Sequence, residues 1–134
     1  MKKLKFVLPV LVAICLVCLF SQCEKDHNCK MKIVCHFSDN GIDTGAVAPK
    51  VFIKVGKDEY ADYAKASGYT DNKGVFEHTF PYPALLDVVA TYSDTTFDDS
   101  GNISSIKNYT GGAQVQVNAG ETTEKTILMV ETTL

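Results

Sequence analysis

Histidines, cysteines, tyrosines and one acidic turn are the residues here whose types and spacing could do chemistry. The histidines are His27, His36 and His78. A zinc site needs three or four ligands converging on one point. His27 lies ahead of the first predicted strand. His36 falls on that strand's polar positions, and His78 follows Phe76 at period two, so the spacing builds no metal site. The run Asp98-Asp-Ser-Gly-Asn102 hints at calcium, but placing Gly101 sixth puts Thr96 first and Lys107 twelfth, where an EF-hand loop needs an acid and a glutamate. A solvated turn is the default there, with a looser surface calcium site as the alternative. Tyr60, Tyr63 and Tyr69, beside Lys57 and Asp58, could line a ligand surface. The plainer reading has their rings packed and their hydroxyls wet. No Ser/His/Asp or Cys/His spacing suggests a nucleophile, so no catalytic residue, metal ligand or cofactor is assigned.

The cysteines carry the sharpest signal. Cys15 and Cys18 sit within the apolar run Phe6 to Phe20, which follows Lys2, Lys3 and Lys5. Positive charge holds an N-terminus on the cytoplasmic side. Fifteen apolar residues suit a signal h-region and fall short of the ~20 that a spanning helix needs. Cys23 comes just after the run, in Leu19-Phe-Ser-Gln-Cys23, and Glu24-Lys-Asp26 follows. This arrangement resembles the export signal of bacterial lipoproteins, with the looser box found in the Bacteroidetes. The resemblance implies a signal peptide over 1–22, lipid attachment at Cys23 and a tether over 23–29. Each buried methylene contributes about 0.8 kcal/mol, so two or three acyl chains such as palmitate would hold the protein at the membrane. Glu24-Lys-Asp26 partly matches the surface-export signal of such lipoproteins, which favours the surface over the periplasmic face of an outer membrane. An uncleaved N-terminal anchor is the competing reading.

Composition narrows the partners. Past the signal, ten lysines stand against sixteen acidic residues, a net charge of −6. No basic patch tracks phosphates, which argues against nucleic acid. The chain has no arginine, hence no bidentate fork for carboxylate or phosphate, and no tryptophan for stacking a sugar. Cys29 and Cys35 are six residues apart. On one strand they would lie ~20 Å apart, too far for a disulfide that needs about 7 Å between Cα atoms. Cys29 then belongs to the tether and Cys35 is a buried strand thiol. A local Cys29–Cys35 loop survives only if the first strand starts late.

These sites need a scaffold, and the pattern is all β. Met31, Ile33, Cys35 and Phe37 share one face at period two. Ser38 to Gly45 is turn chemistry, and Lys50 to Val55 is a second strand. Within Gly56 to Ser67, Asp58 to Ala66 fits a short helical turn or an edge strand; the preferred reading is extended or loop, with a strand near Tyr63 to Tyr69. Asp71-Asn-Lys-Gly74 is a tight turn into a strand over Val75 to Phe80, and Leu85 to Tyr92 is central. Ser93 to Gly112 is polar and predicted to be a long loop, with Ile103, Ile106 and Tyr109 able to pin it to the body or form a short strand. Ala113 to Val117 and Thr122 to Val130 follow, joined by Asn118-Ala-Gly-Glu121. About seven short strands predict one antiparallel Greek-key β-sandwich over 30–134.

Gly68-Tyr-Thr-Asp-Asn-Lys-Gly-Val-Phe-Glu-His78, Leu86-Asp-Val-Val-Ala90 and the Ala-Gly-Glu turn before the last strand resemble carboxypeptidase regulatory-like domains, with Val51 to Val55 as the preceding strand. The resemblance covers most of residues 30–130 and implies a small prealbumin-like sandwich used as a non-catalytic attachment, spacer or binding module. Gly56 to Ser67 and the 93–112 segment depart from it. Asp94-Thr-Thr96 resembles the short O-glycosylation triplet of exported Bacteroidetes proteins, which makes Thr95 a candidate acceptor. Hydrolases of the transthyretin-like class use a histidine cluster with an arginine, which this chain lacks. The expectation is a lipid-anchored cell-envelope protein, a non-catalytic binding or structural module whose partner is an envelope protein or glycan. The alternative is a fimbrial or adhesin-type subunit or accessory, and a small hydrolase is a distant third.

Overall fold

The computed structural model describes residues 27–132. Cys23 and the signal segment lie outside the described residues. Eight strands occupy most of that span: β1 (Cys29–Asp39), β2 (Ile42–Val47), β3 (Phe52–Val55), β4 (Ala66–Tyr69), β5 (Val75–Phe80), β6 (Ala84–Phe97), β7 (Ile103–Val117) and β8 (Thr122–Thr132). Among the described residues helix is confined to one 3-10 turn, Asp62–Ala64, and no helix is long and apolar enough to cross a membrane. The all-β expectation holds. Purely antiparallel pairing does not, because β1 and β8 run parallel from Lys30↔Thr122 to Phe37↔Met129.

The hydrogen-bonded order is β2-β1-β8-β7-β6-β3-β4, with β5 also on β1. One edge of β1 is shared, β5 pairing with Cys29 to Val34 and β2 with His36 to Asp39. The handover falls at Cys35, whose N–H donates to the Gly74 carbonyl at 2.8 Å while its carbonyl accepts from the Ala48 N–H at 2.8 Å. The shared edge therefore loses no backbone partner at the switch. The turn after β7 carries the chain to the other side. Gly120 N–H donates to the Asn28 carbonyl and Lys30 N–H to the Glu121 carbonyl, both at 3.0 Å, which sets β8 beside β1. The far end of β8 returns to β7, pairing Val130 to Thr132 with Thr110 to Asn108.

The strands form two arms, β5-β1-β8 and β4-β3-β6-β7, with β8 joining them. Alternation gives each arm one apolar face, and the two faces supply one buried cluster. Met31, Ile33, Phe80, Ile127 and Met129 enter it from the first arm, and Ile53, Val55, Leu86, Val88 and Val117 from the second. Each such side chain contributes roughly 1.5–3 kcal/mol of burial. Where the arms join, Gly111 is required: a Cβ there would lie 2.5 Å from the Leu128 carbonyl oxygen and 2.6 Å from Ile127.

Three expectations need correction. Cys29 is not tether but the first residue of β1, fully buried, and it and Cys35 are free thiols. Ser38 to Gly45 is not all turn. Only Asn40 and Gly41 turn, at φ 50° and 80°, the left-handed pair a two-residue hairpin demands, and β2 follows. Ser93 to Gly112 is not a loop either. β6 and β7 stay paired from Ala84↔Val117 out to Phe97↔Ile103, and only residues 98–102 turn. Asp98 makes that turn, its Oδ1 accepting from the Ser100 and Asn102 N–H groups at 2.9 and 2.8 Å. This is turn chemistry at the place where a calcium loop was weighed.

Candidate functional site

The three tyrosines do not converge. Tyr60 is half-buried, and its hydroxyl donates to Asp87 Oδ2 at 3.3 Å. Tyr63 is exposed and meets Tyr82 edge to face at 5.4 Å between centroids. Tyr69, 69% exposed, tilts against Phe52 at 5.3 Å. Val55 pairs with Val88, next to the Asp87 that Tyr60 touches, whereas Phe52 and Tyr69 pair at the opposite end of β3. Three residues of strand separate those ends by ~10 Å. The tyrosines therefore split into two places.

Around Tyr69 a groove of about 480 Å³ is lined by Lys50, Phe52, Tyr69, Thr91, Tyr92 and Ser93. Its floor is positioned by Thr70, the one buried polar residue among those described. Thr70 Oγ1 accepts from the Val51 N–H and donates to the Ala48 carbonyl, both at 2.9 Å. These bonds hold Lys50 at φ 59°, a backbone conformation non-glycine residues rarely adopt.

The groove belongs to a larger surface. Directly paired residues share a face, so the register places Tyr69, Phe52, Thr91 and Thr110 in one row across β4, β3, β6 and β7. Phe52, Tyr69, Leu85, Val89, Phe97, Ile103, Ile106 and Val130 all point outward on this side. They are eight of the twelve large apolar side chains exposed among the described residues, and this concentration exceeds scattered exposure. Between them stand hydroxyl and amide groups of Ser67, Ser93, Thr95, Asn108, Gln114 and Gln116. Besides Lys50 at its edge, the face carries two charges, and each of these is paired within the chain. Lys54 meets Asp58 at 2.7 Å, and Asp87 meets Lys57 at 3.5 Å. The Gln114 side-chain N–H, at 2.9 Å, is the main cause that holds the Asp87 carboxyl below its usual range, with Lys57 adding to it.

Past Thr91 and Asn108 no third strand among the described residues flanks β6 or β7, so residues 92–107 form a two-stranded ribbon. Phe37 of β1 braces its root, packing edge on against Tyr92 at 5.7 Å and Tyr109 at 5.1 Å. Thr95 lies on the ribbon, exposed, opposite Ile106 and on the same side as Phe97. The ribbon leaves the body at the Phe37 end of β1, away from Cys29.

The remaining candidates stay apart. His36 and His78 stand on opposite sides of the β1–β5 pair, since His78 pairs with the inward Met31. His36 Nδ1 is 3.0 Å from both Asp43 oxygens, and this contact, chief among the causes, lowers the Asp43 carboxyl. His78 sits between Phe76 and Phe80, its ring 4.7 Å from that of Phe80. His27 is exposed. Burial pushes the Cys35 thiol up to about 11, which leaves it a poor nucleophile. Among the described residues no three His, Cys, Asp or Glu side chains converge as metal ligands would.

Sequence reasoning did not reach the outward apolar face. Its signal was present in Leu85, Val89, Phe97, Ile103 and Ile106, but the loop reading of 93–112 hid the register that aligns them. Comparisons with protein-family profiles, with curated proteins and with solved structures found no match to this chain.

Proposed function

We propose that this chain is a lipid-anchored cell-envelope protein whose β domain is a non-catalytic binding or structural module. The observation that carries the reading is the N-terminal sequence: Lys2, Lys3 and Lys5, the apolar run to Phe20, then Cys23 six residues ahead of β1. Acyl chains on Cys23 would fix the Cys29 end of the domain near an outer membrane, on its surface or periplasmic side. The ribbon would then point away from the bilayer. Two arms over one core support a prealbumin-like sandwich of the carboxypeptidase regulatory-like kind, with the parallel β1–β8 pair as a departure from a purely antiparallel Greek key. An envelope protein or glycan is the partner class this reading implies.

The fimbrial or adhesin-type subunit is the weaker reading. Strand donation needs a vacant strand position in the sheet, and β8 already lies between β1 and β7. Replacing Cys23 with serine tests the anchor. The variant should leave the detergent phase and lose acyl mass. Unchanged partitioning would sink the lipid claim.

A further inference from the structure

We infer that the outward face of β4-β3-β6-β7 is the contact surface for a second copy of this chain, giving a two-fold dimer. Three observations name that occupant. First, the face collects eight of the twelve large apolar side chains exposed among the described residues, Phe52, Tyr69, Val89, Phe97 and Ile106 among them, whereas the outward side of β1 shows Val47 of β2 beside His36 amid charged and polar groups. Second, copies of a chain with net charge −6 past its signal repel one another over most of their surface. This face carries little free charge: Lys54 and Asp87 are neutralised by Asp58 and Lys57 of the same chain, and Lys50 at the β3 edge is the one charge on it left unpaired among the described residues. Meeting its own image brings apolar and hydroxyl groups together, and a two-fold axis along the strands sets Lys50 and its image on opposite flanks, so like charges do not face each other. Third, β6 and β7 are about 46 Å long and β3 and β4 add a short flank, so the face offers on the order of 600 Å² per copy, about 1,200 Å² in all, the lower bound for a specific interface.

A two-fold axis along the strands brings the faces together with both ribbons pointing the same way. Sheets pack face to face about 10 Å apart in this manner. Both Cys29 ends then lie on one side, which suits tethers in a single leaflet. The dimer itself does not depend on the anchor. A sugar on Thr95 would stand between the two ribbons, so in the dimer Thr95 is unmodified.

The test uses the full chain in the cells that express it, carrying the photoreactive residue benzoyl-phenylalanine in place of Thr91 on this face or of Thr126 on the other. Irradiation should yield a product of twice the chain's mass from position 91 and none from position 126. Adding Val89→Lys should cut the yield at least about tenfold, because it sets like charges across the two-fold axis. Phe97→Lys, on the exposed ribbon tip, serves where Val89→Lys loses its circular-dichroism signature. The dimer is overturned by no product at position 91, by equal products at both positions, by a product with a different protein, by a yield the lysine variant leaves unchanged, or by a glycan on Thr95 in the intact mass. Cys23→Ser leaves the cross-link in place, so failure of the anchor and failure of the dimer read out separately.

Discussion

The two outward faces of this protein share one backbone geometry and differ in chemistry. On β5, β1 and β8 the outward positions alternate charge, with Lys32 and Glu124 in contact at 2.8 Å and Lys30, Glu77 and His36 around them. On β4, β3, β6 and β7 they are apolar, hydroxyl or amide, apart from Lys54 and Asp87, each paired within the chain. Inward residues of both arms meet the same core, so packing cannot account for the difference. A solvated face of a small acidic protein keeps its charges for solubility, whereas one stripped of free charge is suited to being covered. In the proposed dimer, this contrast puts the contact on one arm and leaves the other to water.

The largest test asks whether the faces belong to one cooperative unit. Phe80→Ala removes a fully buried ring from the shared cluster and should cost about 3–5 kcal/mol in urea unfolding, in a single transition followed by any probe. Two separate transitions would mean that the arms are independent and the comparison is between two bodies. Next comes the ribbon. Phe37→Leu keeps apolar volume but removes the ring contacts with Tyr92 and Tyr109, at about 1–2 kcal/mol. Amide exchange in residues 93–108 should rise while β5 stays protected, and equal changes in both would show that Phe37 braces nothing in particular.

The smallest effect is on the charged side and depends on pH. Asp43 titrates below its ordinary value of 3.8, chiefly through its hydrogen bond to His36 and then through the Gly45 N–H. The folded state therefore binds that proton less readily than the unfolded chain. The stabilisation is fully present above the ordinary value and is lost as pH falls through the folded one. Asp43→Asn should shrink the drop in urea midpoint between about pH 5 and pH 2 relative to the parent. An identical drop would show that β2 is not held by this pair. Asp58, Asp71, Asp87 and Asp98 are lowered too, so part of the acid limb stays.

Legibility followed burial. Val75–Phe80 reads directly, because the Asp71 turn precedes it and Phe76 and Phe80 mark its inner face. The inner face of β1 was equally plain. β2 was missed because all six of its residues are exposed, so no alternation marks it. The ribbon was read as loop because Ser, Thr, Asp and Asn there satisfy each other across strands rather than facing a core. Ser93 meets Asn108 and Thr96 meets Ser105, both at 2.7 Å, and Asp94 pairs with Lys107 in the ladder. Of the candidate site, Tyr69 alone was placed where the groove is.

By itself the sequence determined the all-β class, the inward residues of β1, β3 and β5, the tight turns and the signal-like N-terminus. These depend on neighbours a few residues apart, through alternation, turn chemistry and apolar length. Only the tertiary structure decided that β8 runs parallel to β1, that the polar 93–112 stretch is a ribbon, and that eight exposed apolar residues share one face. Each of those depends on register between strands remote in the chain, where the partner that satisfies a backbone or covers a side chain is absent from the local sequence.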